Sequence, residues 1–254
     1  MKVRHLLIGT SLLATMTLSA QAHQGNFSGF YAGAQYGSVQ SKANALVQAE
    51  SNPGGGGAAE KFHYKRNLSN TNTIGGLHAG YGQQFSNCVY MGVEAYGNLS
   101  NHAAQTSFED AANYTSAGGF HGSVRYNRIL KLERKHTLGL ALRPGVVFGN
   151  TLLYAKLGLE TANMSVKDSP EDMLINRGGM VIEKEPSSST HKWVMGFVPG
   201  VGASFRVTDN LLLGLEATHA MYKDAKFNLS KKNSKASFKS QTYNEFFARV
   251  SYKW

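Results

Sequence analysis

The chain has 254 residues, 42% of them hydrophobic, a formal net charge of +10 and a single cysteine, Cys88. One cysteine excludes an intramolecular disulfide, and no stretch beyond the N-terminal segment approaches the ~18 apolar residues of a spanning helix. Abundant glycine (28) beside scarce proline (5) suits a single β domain.

Met1-Lys2-Val3-Arg4-His5 is a short basic start, Leu6 to Leu18 is mostly apolar, and Ala20-Gln21-Ala22 has the form of an A-x-A cleavage site. This predicts a secretory signal peptide over 1–22 and a mature domain over 23–254. Lys2 and Arg4 leave with it, lowering the formal charge from +10 to +8. An exported chain without a spanning helix is either soluble in the periplasm or an outer-membrane β-barrel.

Period-two patterning predicts strands over 28–39, 72–85, 88–100, 133–148, 151–164, 190–206, 211–225 and 242–254. In the fifth, Leu153, Ala155, Leu157 and Leu159 oppose Tyr154, Lys156, Gly158 and Glu160. The connections at 86–87, 149–150 and 207–210 are tight, whereas 40–71, 101–132, 165–189 and 226–241 are long. Tight turns on one side and long loops on the other follow the plan of a transmembrane barrel, with its tight turns in the periplasm. Gly119 to Tyr126 also alternates. A ninth strand would put the C-terminus on the wrong side, so 118–130 reads as a β extension within the second loop.

Alternation leaves open which face meets lipid. All strand glycines but Gly75 and Gly97 fall on the polar face, and a narrow barrel needs small residues inside to make room for long ones. The same face carries Glu94, Arg143, Lys156, Glu160, Arg206, Glu216, Glu245 and Arg249. Charges of both signs at mid-strand predict a paired lumen network. The apolar face carries Tyr36, Tyr81, Phe148, Trp193, Phe205, Tyr252 and Trp254, placed as an interfacial aromatic girdle.

The closing segment Phe246 to Trp254 alternates strictly and ends on an aromatic. It resembles the last strand of bacterial outer-membrane barrels. The resemblance implies that Phe246, Val250, Tyr252 and Trp254 are the signal read by the barrel assembly machinery. Phe27-Ser28-Gly29-Phe30-Tyr31-Ala32-Gly33, and the hairpin Leu140 to Gly158 around Gly149-Asn150, resemble the small outer-membrane β-barrel domain of proteobacteria. That family includes opacity-type adhesins and porin-like surface antigens. It implies an all-β fold, an eight-stranded antiparallel transmembrane up-and-down barrel with four long extracellular loops, in the bacterial outer membrane.

Little in the chain points to chemistry. The histidines are scattered, without a ligand pair at the spacing of known metal sites, so no metal, haem or other cofactor is expected. A lipid A hydrolase needs a histidine beside a serine and an orienting carboxylate. His219 and the run Ser187-Ser188-Ser189-Thr190-His191 supply parts of that set, but not the compact His-x-Ser-Asn pattern. No catalytic residue is assigned.

Basic loops are the more distinctive feature. Lys223, Lys226, Lys231, Lys232, Lys235 and Lys239 crowd the fourth loop, and Arg125, Arg128, Lys131, Arg134 and Lys135 the second. Lys231, Lys232, Lys235 and Lys239 are the expected polyanion contacts, with lipopolysaccharide, an anionic glycan or a host surface as partner. Nucleic acid is not an expected partner of an exported barrel. Asn52-Pro53-Gly54-Gly55-Gly56-Gly57 reads as a flexible tip of the first loop. With the chain ending at Trp254, a wall-anchored tether is not expected. The reading is a non-catalytic surface barrel with a structural or adhesin-like role, ahead of a narrow porin and then a lipid A-modifying enzyme.

Overall fold

A computed structural model describes residues 26–51, 60–85, 88–115, 121–175, 188–228 and 235–254. The signal-peptide segment, the Asn52 to Gly57 tip, and Lys231 and Lys232 lie outside the described residues. Among the described residues nine strands form one antiparallel sheet: β1 Gly29–Ser51, β2 Glu60–Phe85, β3 Val89–Thr115, β4 His121–Phe148, β5 Thr151–Ile175, β6 Ser188–Arg206, β7 Leu211–Tyr222, β8 Ala225–Asn228 and β9 Lys235–Lys253. β8 continues β7 past Lys223-Asp224 and keeps its register on β9, since Tyr222 faces Gln241 and Ala225 faces Phe238. The barrel therefore has eight staves.

β9 returns to β1, pairing Tyr31 with Lys253 and Ala34 with Val250, and closes the sheet. Following paired residues once around, from Ala32 through Ala79, Ala95, Leu140, Leu159, Phe197, Met221 and Thr242, returns to β1 at Lys42. A stagger of ten residues in eight staves tilts the strands by about 35–45°. The interior is then just wide enough to be filled by side chains. The hairpin at Gly149-Asn150 is tight because Gly149 takes φ 57°, a left-handed conformation that glycine adopts without steric cost.

The strands run further than the apolar stripe that predicts them. β1 and β2 stay paired up to Ser51 and Glu60, and β3 and β4 up to Thr115 and His121. Much of the expected loops 40–71, 101–132, 165–189 and 226–241 is therefore ladder, because paired backbone needs no lipid-facing stripe to continue into water. Residues 121–130 are the upper part of β4, a β extension within the second loop. Among the described residues, however, the ladder between β2 and β3 stops at Ile74 and Ser100, and that between β6 and β7 at Gly196 and Tyr222. Above these pairs no ladder joins β2 to β3 or β6 to β7 among the described residues, although Lys223 N still donates to Met195 O at 3.1 Å.

The outer face is an apolar belt. Leu77, Leu140 and Leu215 are 70%, 69% and 69% exposed, an arrangement that only a lipid environment makes favourable. Phe30, Phe85, Phe148, Phe205, Tyr252 and Trp254 sit at the strand ends beside the short turns, with Tyr36 and Trp193 on the belt near the opposite rim. The lumen was expected to be polar, yet both ends are apolar. Val39, Ile74, Leu132, Met164, Val166 and Val194 cluster toward the loop side. Phe27, Tyr90, Val147, Leu152 and Leu212 cluster at the turn side. Parity assigns a residue to a face, but says nothing of how polar that face is at each height.

Candidate functional site

Between the two apolar clusters lie two tiers of buried charge. In the lower tier, Glu94 accepts hydrogen bonds from Arg143 Nη1 at 2.8 Å, Arg249 Nη2 at 2.6 Å and Tyr31 at 3.0 Å. Glu216 accepts from Lys156 Nζ at 2.7 Å, from Tyr154 at 2.9 Å and from Arg249 Nη1. Arg249 thus bridges both carboxylates. Arg143 also stacks 3.7 Å from the ring centre of Tyr154, and Lys156 lies 3.9 Å from that of Tyr96. Such cation–π contacts gain strength where water is excluded.

The upper tier is built around Arg134, which is 1% exposed. Its Nη2 donates to Glu245 at 2.5 Å and its Nη1 to Tyr222 at 3.1 Å. Tyr222 in turn donates to Glu160, whose carboxylate lies 3.9 Å from the same guanidinium. Thr218 donates to the other oxygen of Glu245 at 3.0 Å. The lower tier has three bases to two acids and the upper one base to two, so the eight charges balance only together.

The glycines make room for these groups. A Cβ at Gly82 or Gly92 would run into the Tyr90 ring, one at Gly139 or Gly158 into Tyr96, and one at Gly202 into Tyr154. Gly75 and Gly97, on the outer face, meet Tyr36 and Leu138 instead.

Of the eight residues expected in the lumen network, the structure brings seven together. Arg206 is the correction. It sits at the turn-side rim opposite Leu212, 3.4 Å from the exposed Asp209 and 3.2 Å from Asn150, rather than among the other seven charges. Arg134, expected in the second loop, is the residue that sequence reasoning missed. The β4 ladder slips between Arg134 and His136 against β5. That irregularity reverses the parity below it, where Thr137, Ala141 and Arg143 point inward. No compositional signal marks a one-residue bulge, although Arg134 already falls within the strand predicted over 133–148.

Phe246, Val250, Tyr252 and Trp254 all lie on the outer face. Lys235 and Lys239 fall within β9 rather than in a loop, with backbones opposite Gln48 and Asn44 of β1. Of the hydrolase candidates, His219 is held by Asn244 at 2.6 Å, and His191 is exposed on β6. Another pair, His78 and Ser251 at 2.7 Å, is enclosed in the lumen. His78 Nδ1 has no partner, so no carboxylate orients the ring as a hydrolytic triad needs. Among the described residues no three histidine, cysteine or acidic side chains gather as a metal site would.

An eight-staved membrane barrel with a filled lumen defines the class of protein. The model of the outer membrane protein beta-barrel domain matches residues 10–253, and the chain belongs to that family. This places it in the bacterial outer membrane. No curated protein matches the chain. Similar solved structures include the protease OmpT of Escherichia coli, at 10% identity and TM-score 0.44, covering 89% of this chain and 97% of that one. OprG of Pseudomonas aeruginosa is 15% identical with TM-score 0.40, over 91% and 98%. Ail of Yersinia pestis, solved with the heparin analogue sucrose octasulfate, is 14% identical with TM-score 0.31, over 87% and 99%. At these values the likenesses carry nothing about activity.

Proposed function

We propose that this chain is a non-catalytic surface barrel, closed to solutes, whose basic outer segments engage anionic polymers at the cell surface. The observation that carries the reading is the double charge tier between two apolar clusters. Among the described residues apolar clusters flank the tiers on both sides, and the buried pair of His78 and Ser251 has no orienting carboxylate. Lys231, Lys232, Lys235 and Lys239 supply the outer charge, and lysines attract polyanions at long range with little stereochemical discrimination. Replacing these four by Gln should weaken heparin or lipopolysaccharide binding without harming barrel assembly. The remaining attraction should fade as added salt shortens the Debye length from ~10 Å at 0.1 M to ~3 Å at 1 M. Binding that survives both changes would overturn this part of the reading.

The second reading is a narrow passive channel. Gln35 Oε1, Thr137 Oγ1 and Ser165 Oγ are buried without a protein partner, which favours hydration of parts of the lumen. Single-channel recording separates the two, since a closed lumen gives little conductance and a stable, large open state requires the channel. Phe246, Val250, Tyr252 and Trp254 form the lipid-facing stripe of the closing strand and serve in this reading as the assembly signal. Deleting Trp254 should then leave unfolded protein in the periplasm, checked by the heat-modifiable band of the folded form.

A further inference from the structure

Where β2 and β3 part, just above the pair Ile74 and Ser100, the wall carries a cleft of ≈ 690 Å³. Its lipid side is lined by Tyr36, Gly75 and Leu99, its floor by Arg134, and its far wall by Lys131, Lys135 and His136 of β4. The missing side chain at Gly75 hollows the outer face between Tyr36 and Leu99. Two slips of register frame the opening, one between Leu99 and His102 and one between Arg134 and His136.

Among the described residues the charge there is predominantly basic. Lys131, Lys167 and Lys135 reach Glu133 at 2.9, 3.2 and 3.9 Å, three ammonium groups around one carboxylate. Glu133 lies above the lipid belt. Burial would raise its carboxyl, but hydrogen bonds from Lys131 and Lys167 hold it below the ordinary carboxylate range. The lysines remain partly exposed, at 38–46% of their side-chain surface. Beneath them the buried Arg134 keeps an Nε with no partner. A wall that is apolar on its membrane side and cationic just above suits an amphiphile with its anion at the interface.

We propose that this cleft binds the phosphate of a phosphorylated glycolipid of the outer leaflet, with acyl chains against Tyr36 and Leu99 and the phosphate among Lys131, Lys135 and His136. The site rests on the outer-membrane location and does not use Lys231, Lys232, Lys235 or Lys239.

Native mass spectrometry of the full mature barrel in detergent tests it, with bisphosphorylated lipid A as the probe. One lipid A should be retained per barrel. Lys131→Gln with Lys135→Gln should weaken retention about tenfold, the effect of losing charge-assisted contacts. Gly75→Leu, on the outer face where a Cβ meets Tyr36 at 3.4 Å, should block the cleft without disturbing the lumen. The quadruple Gln variant at 231, 232, 235 and 239 should bind as the parent does, so failure of the polyanion reading remains distinguishable. Equal binding of dephosphorylated lipid A, displacement by equimolar inorganic phosphate, or undiminished binding by the folded Gly75→Leu variant would each overturn the proposal.

Discussion

The two lumen tiers solve the same problem with different safety margins. In the lower tier Glu94 is held by Arg143 and Arg249, and Glu216 by Lys156 and Arg249, so each acid keeps a cation when one is lost. In the upper tier a single guanidinium, Arg134, stands between Glu160 and Glu245. The lower tier draws on residues of unbroken parity, whereas the upper one depends on a ladder slip at its only cation. Redundancy in a buried network comes from the ratio of its charges, not from their number. The upper tier is therefore where this barrel is most easily broken.

The largest effect should come from Arg134→Ala, which leaves two carboxylates buried without a base. Breaking a buried pair in this way costs about 3–5 kcal/mol, to be read as a lowered urea midpoint of the folded band in lipid. Arg143→Ala should cost less, about 1–3 kcal/mol, because Glu94 keeps Arg249 at 2.6 Å. Equal losses in the two variants would show that the tiers do not differ as the geometry requires. Adding Glu160→Gln to Arg134→Ala should return roughly 1 kcal/mol by removing one of the two facing charges. A strictly additive double variant would mean that Glu160 does not sense Arg134. Arg206→Ala is the smallest case, with a change within about 0.5 kcal/mol, since its partner Asp209 is exposed at the rim.

The membrane barrel is legible in the chain itself. Strict alternation in Phe246 to Trp254 and Leu153 to Glu160 assigns faces, because a strand's side chains point alternately to its two sides. Glycines on the polar face identify that face as the crowded one, and they lie where lumen tyrosines cross them. Glu94, Arg143, Lys156, Glu160, Glu216, Glu245 and Arg249 were legible for the same reason. Their partners were not, since pairing across a staggered barrel joins residues far apart in the chain, such as Glu94 with Arg249. That Arg134 turns inward, that Arg206 stays at the rim, and that the β2–β3 ladder ends at Ile74 among the described residues emerges from the folded barrel alone. Those outcomes depend on ladder slips and on how far each hairpin keeps its neighbour. These are properties of strand pairing between distant segments, to which the pattern within one strand is blind.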